Sequence, residues 1–103
     1  MHEQHVELIR KCENACLVTL RHCLEIGGKH AEASHITMLL DCANICRLNV
    51  SAILLKSSHS KEIALLCADI CDACADDCDR LADDEHIQRL TGVCRTCAEA
   101  CKK

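Results

Sequence analysis

The segment CADICDACADDC, residues 67–78, places Cys67, Cys71, Cys74 and Cys78 at intervals of four, three and four, with only Ala, Ile and Asp between them. That alternation is the repeat of one helical face at about 100° per residue. On the helical wheel the four cysteines fall within an arc of about 60°, and Asp69, Asp72, Asp76, Asp79 and Asp83 cluster on the opposite face. The segment therefore reads as a helix with a sulfur stripe backed by a carboxylate stripe.

The same rhythm recurs along the chain. Cys12, Cys16 and Cys23 share a stripe, with Thr19 in the remaining slot. Cys42 and Cys46 share another with His35, Asn49 and Ile53, and Cys94, Cys97 and Cys101 continue a line begun by Ile87 and Leu90. Breakers are few, since the chain has three Gly and no Pro. Gly27-Gly28 reads as a helix stop, SSHS at 57–60 as a polar turn with Ser60 as N-cap, and ADDE at 82–85 as an acidic turn able to cap a final helix. The expected helices span about 3–26, 33–56, 61–81 and 85–102, each about 30 Å long. Connections this short favour antiparallel neighbours. The fold class is therefore all-α: residues 1–103 as a single domain, an antiparallel up-down-up-down four-helix bundle with a cysteine-lined core.

Composition agrees. With 12 Cys and no Phe, Tyr or Trp, the core must be built from Leu, Ile, Val, Ala and the cysteines themselves. A net charge of −4 argues against a nucleic-acid or anionic-membrane partner. No run approaches the ~18 consecutive apolar residues of a membrane span. The N-terminus, MHEQHVELIRKCENAC, carries charges throughout and has no apolar run of signal-peptide length. The expectation is a cytoplasmic protein with mostly reduced thiols, rather than a loop-rich secreted disulfide scaffold.

Twelve inward cysteines exceed what packing requires, because Ala, Val or Leu fill space without oxidation risk. Thiols three or four apart on a helix lie close enough to share a metal ion. Thiolate is soft and selects Cu(I), Zn(II) or iron–sulfur clusters. A continuous column suits Cu(I), with two thiolates per ion and bridging sulfurs; structural zinc uses discrete sets of four, and iron–sulfur clusters use compact sets on loops. Cys71-x-x-Cys74 and Cys94-x-x-Cys97 match the bare redox pattern, but no strand or Gly-Pro turn accompanies them. Zinc buffering, thiol redox chemistry, and a structural oligomerising bundle with inert cysteines stand as the alternatives.

Of the histidines, His2, His5 and His59 read as solvated surface, while His30, His35 and His86 gather at one end. His35 lies on the stripe, with Met38 at its margin, so these residues could pass a metal inward. Asn49, in a core slot, needs a partner or a place near an open end.

HITMLLDCANIC, CENACLVTLRHCLEIGGKHA and CADICDACADDCDRLADDEHIQRLTGVCRTCAEACKK resemble the cytosolic copper storage proteins of bacteria, a Cys-rich four-helix-bundle family, over nearly the whole chain. The resemblance implies a homotetramer that fills its core with thiolate-bound Cu(I), multiple ions per chain, and stores them; no catalysis is expected, and a copper chaperone or chelator is the candidate delivery partner. It places core thiols at Cys12, Cys16, Cys23, Cys42, Cys46, Cys67, Cys71, Cys74, Cys78, Cys94, Cys97 and Cys101. Where the family commonly has Cys, this chain has Thr19, Ile87 and Leu90. The expectation is an aliphatic plug at that end, a sulfur-lined cavity through the middle and opposite end, and a capacity below that of Cys-richer relatives.

Overall fold

The computed structural model describes residues 2–81 and 83–103, with the backbone alone for residues 2–4. The reading of His2 as surface therefore falls on a side chain outside the described residues, as does Ala82 of the acidic turn. Four helices form: α1 (His2–Ile26), α2 (Ala33–Leu54), α3 (Ser60–Cys78) and α4 (Glu85–Lys102). Two 3-10 turns, Gly28–Ala31 and Asp79–Leu81, fill the connections after α1 and α3. Each helix packs on its sequence neighbours and α4 closes on α1, giving a square bundle 41 × 20 × 18 Å.

The helix ends follow local chemistry. Gly27 takes φ 75° and Gly28 φ 56°; an added Cβ at either would meet nothing within 4 Å. Their requirement is thus the left-handed backbone rather than space. Asp84 caps α4 as its acidic turn suggests, with Oδ1 accepting from the N–H groups of His86 (2.9 Å) and Ile87 (3.4 Å). Two expectations are corrected. His59, not Ser60, stands at the N-cap of α3, and its N–H donates to Ser57 Oγ (3.1 Å). α2 ends at Leu54 because Lys56 turns left-handed, φ 53°. The N–H groups of Lys56 and Ser57 then return to Ile53 O (3.2 Å) and Ala52 O (2.9 Å), which closes the helix without glycine.

All twelve cysteines are buried in one cluster with Ile9, Leu39, Val50, Ile87 and Leu90. α2 is long and apolar enough by composition to cross a membrane, yet its buried face carries His35 and Asn49 along with Cys42 and Cys46. The carboxylate stripe on α3 is only partly solvated. Arg95 on α4 reaches Asp72 (3.3 Å) and Asp76 (2.6 Å), and Lys102 Nζ lies 2.9 Å from Asp72. These exposed pairs orient α4 on α3 more than they stabilise it.

Ile87 and Leu90, the expected aliphatic plug, are buried in the core cluster, and Thr19 is buried as well. In a core without aromatics, these branched side chains supply volume that thiols do not. Leu90→Ala is expected to destabilise the metal-free protein by about 2–5 kcal/mol. The measurement is the urea midpoint followed by far-ultraviolet circular dichroism.

Candidate metal centre

The inward stripes of the four helices meet on the bundle axis, and their sulfurs touch. Cys71 Sγ lies 3.7 Å from Cys97, 3.8 Å from Cys42 and 4.0 Å from Cys67. Cys46 is 3.9 Å from Cys67, and Cys12 is 4.0 Å from Cys42 and 3.9 Å from Cys94. All twelve are free thiols. The expected cavity through the middle is therefore corrected: thiols from facing helices fill the axis themselves.

Three groups of four sulfurs have every member within 4.8 Å of the others. They are Cys12, Cys16, Cys42 and Cys94; Cys12, Cys42, Cys46 and Cys71; and Cys46, Cys67, Cys71 and Cys97. Successive groups share a pair of thiols, first Cys12 and Cys42, then Cys46 and Cys71. An ion about 2.3 Å from each of two sulfurs spans them by about 3.8 Å in a tetrahedral and about 4.6 Å in a linear arrangement. The observed spacings of 3.7–4.0 Å need little or no opening to admit one. Shared pairs make bridging sulfurs the natural mode.

Burial raises the cost of a thiolate throughout the column. Hydrogen bonds between neighbours then divide it. Cys16 and Cys74 are shifted in opposite senses: Cys12 as a thiolate accepts from Cys16 and holds its proton, whereas Cys74 is lowered by the hydrogen bond from Cys16. Cys71, Cys46 and Cys94 are raised, in each case first through Cys12. Each thiolate formed thus holds its neighbours' protons in place. Twelve adjacent anions cannot coexist in a metal-free core, so incoming ions must displace protons as they bind.

Of the remaining thiols, Cys74 lies beside Cys16 and Cys94, and Cys101 and Cys23 lie toward the two ends of the column. Cys101 is 9% exposed, whereas none of the other eleven exceeds 1%. A cleft of about 230 Å³ opens there, lined in part by His5, Asn49 and Cys101. His5 therefore belongs to a mouth and not to plain surface as expected. Asn49 has both a partner and an open end: Nδ2 donates to Cys101 Sγ (3.4 Å), while Oδ1 is buried without a hydrogen bond. At the other end Cys23 is pushed up to about 11, first by burial and then by the Asp84 charge.

His35 lies within the bundle, fully buried, and not at its mouth. Its Nε2 is 3.5 Å from Cys23 Sγ and its Nδ1 is 2.5 Å from Asp77 Oδ2. A carboxylate on one ring nitrogen fixes the orientation of the other, as in metal-bound histidines. Asp77 is itself held by Arg80 Nη2 at 2.7 Å. Met38 is half-buried against the core, and His59 is exposed, as expected. Asp77 escaped the sequence reading because it lies off the cysteine stripe, and only the approach of α2 to α3 brings His35 to it. Nor did the sequence reading single out His22, which pairs with Asp84 (2.6 Å).

The copper storage protein family model matches residues 1–103. A cysteine-rich protein of Bacillus subtilis, YhjQ, of uncharacterised function, is 39% identical over 97% of this chain and 92% of its own length. The Cu(I)-bound copper storage protein BsCsp3 superposes with a TM-score of 0.90 at 39% identity, covering 97% of this chain and 93% of that one. Apo-Csp3 from Bacillus subtilis gives 0.89 at 38% identity, with 99% and 96% covered.

Burial raises the Asp77 carboxyl, but hydrogen bonds from His35 and Arg80 outweigh it and hold the group below its ordinary range. Its stabilisation is thus fully present above the unfolded value of about 3.9 and is lost as pH falls through the lowered folded value. Asp77→Asn should flatten the fall in stability of the metal-free protein below about pH 4. Urea midpoints measured between neutral pH and pH 3 check this.

Proposed function

The chain belongs to the copper storage protein family, and from that premise we propose that it stores Cu(I) as a polynuclear thiolate array along the bundle axis. The observation that carries this reading is the run of four-thiol groups joined through shared pairs. Discrete zinc sites close around one ion; edge-sharing groups allow ions to be added in sequence through bridging sulfurs. Cu(I) is soft and accepts two or three thiolates, so each added ion needs few new ligands. Because the S···S spacings also suit a tetrahedral ion, Zn(II) is the competing cargo.

The ligands are Cys12, Cys16, Cys23, Cys42, Cys46, Cys67, Cys71, Cys74, Cys78, Cys94, Cys97 and Cys101. Ions reach them past Cys101, since none of the other eleven cysteines is more than 1% exposed. Asn49 Oδ1 and His5 give an arriving ion, passed on by a chaperone or small chelator, weaker ligands before the sulfurs. At the far end Cys23 and the oriented Nε2 of His35 offer a mixed sulfur–nitrogen pair. Thr19, Ile87 and Leu90 in place of further thiols reduce the capacity, while holding the bundle together when it is empty.

No catalysis is assigned. Cys71 and Cys74, like Cys94 and Cys97, are buried beyond the reach of a protein disulfide or thiol. The protein folds as one domain and works in the cytoplasm, where thiols remain reduced. Leu17, Val18 and Leu24 on α1, with Leu40 and Leu48 on α2, expose apolar surface suited to self-association as a homotetramer. Light scattering should then give four times the chain mass of 11.4 kDa; a monomer at micromolar concentration would remove the oligomer from the reading.

Anaerobic Cu(I) titration tests storage directly, on a clean background because the chain has no Trp or Tyr. Twelve thiols hold about six ions if each ion takes two unshared thiolates, and about twelve if every thiolate bridges two ions. Charge-transfer absorbance should therefore grow past about six equivalents. Cys71→Ser, which removes a sulfur common to two groups, should lower capacity while preserving helicity. Saturation at one or two ions, or retention of Zn(II) against Cu(I), would refute storage.

A further inference from the structure

A second cluster of metal-binding side chains lies outside the sulfur column. Asp84, at the start of α4, directs Oδ1 to the backbone N–H groups of the helix it caps. Its other oxygen, Oδ2, faces two imidazoles from elsewhere in the chain. His22 Nε2, near the end of α1, lies 2.6 Å away, and His30 Nε2, in the 3-10 turn Gly28–Ala31, lies 3.3 Å away. His86, in the first turn of α4, stacks on His22 with ring centroids 4.1 Å apart and places Nδ1 3.7 Å from Asp84 Oδ1. The ligand atoms of His22, Asp84 and His86 all lie within 4.8 Å of one another.

One carboxylate does not satisfy three imidazoles. His30 Nε2 is buried and, although 3.3 Å from Asp84 Oδ2, makes no hydrogen bond among the described residues. An unpaired ring nitrogen out of contact with water is costly. Protonating all three rings instead would crowd like charges around one anion. A cation among them would resolve both difficulties. Two ligands each about 2.0–2.1 Å from a tetrahedral ion are about 3.3 Å apart. His30 already stands at 3.3 Å from Asp84 Oδ2; the 2.6 Å contact of His22 has to open, and His30, outside the group of His22, Asp84 and His86, has to draw in toward the other two rings.

We propose that His22, His30, His86 and Asp84 form a site for one borderline divalent cation of the Zn(II) class. Imidazole and carboxylate ligands favour such ions over Cu(I), whereas the thiols do the reverse. The two sites are thus separated by softness as well as by position. An ion here clips together the end of α1, the turn that follows it and the start of α4. It closes the bundle end away from Cys101 and does not depend on the copper storage reading.

The test is Zn(II) added to the full-length reduced protein under anaerobic conditions, followed by proton–nitrogen NMR of the imidazoles. One Zn(II) per chain, whether the first taken up or a later one, should shift the ring nitrogens of His22, His30 and His86 and leave His59 unchanged. Co(II) in the same place should give visible d–d bands without added sulfur-to-cobalt charge transfer. His22→Gln, and Asp84→Asn, which retains an N-cap residue, should each weaken this binding at least tenfold without lowering Cu(I) capacity. If excess Zn(II) leaves the three imidazoles unshifted, or both variants bind as tightly as the parent, the site is refuted.

Discussion

A buried thiol core cannot ionise without a counter-charge, and the rest of the molecule is arranged around that constraint. Every sulfur on the axis is out of water or nearly so, and a thiolate formed there meets both the cost of desolvation and the repulsion of its neighbours. Protonated, the same side chains behave as small hydrophobes and pack as a core. The column therefore has two consistent states, neutral thiols in contact or thiolates around metal. Exchange between them is a trade of protons for ions in which the helices need not move far.

Each helix meets the constraint by supplying one stripe, and each stripe is incomplete in its own way. α3 carries cysteine through its middle turns, and its Cys71, with Cys46 of α2, joins two of the four-thiol groups. α2 yields two stripe positions to polar residues at opposite ends, His35 and Asn49. Asn49 lies beside the cleft at Cys101, and His35 faces Cys23 with Asp77 behind it. The ends of the column therefore differ chemically, one open and amide-lined, the other closed by aliphatic side chains and an oriented imidazole.

That asymmetry gives the loops a purpose beyond connection. The glycines after α1 turn the chain so that His30 approaches Asp84, while the N-cap role of Asp84 fixes the carboxylate that His22 and His30 face. Local rules for ending and starting helices thus place groups of borderline character just outside a soft core. The same Asp84 charge acts inward on Cys23 and helps keep its proton on.

How much was legible in the sequence can be judged residue by residue. Intervals of three and four, read at one face per helix, determined that Cys67, Cys71, Cys74 and Cys78 share a face, that Thr19 fills a slot between thiols and that Ile87 and Leu90 begin the stripe of the last helix, while Gly27 and the acidic turn at Asp84 marked helix bounds. Such features depend on the 3.6-residue repeat and on backbone groups a few residues away, so the order of residues specifies them. Which sulfurs touch, whether the axis is open, and that His35 reaches Asp77 while His22 reaches Asp84 depend on the distance and rotation between helices. Packing of whole faces sets those quantities, and no spacing along one helix encodes them. The thiol-rich, metal-binding character could therefore be read from the chain, whereas the grouping of its thiols, its open end and the imidazole cluster were decided only when the four stripes met.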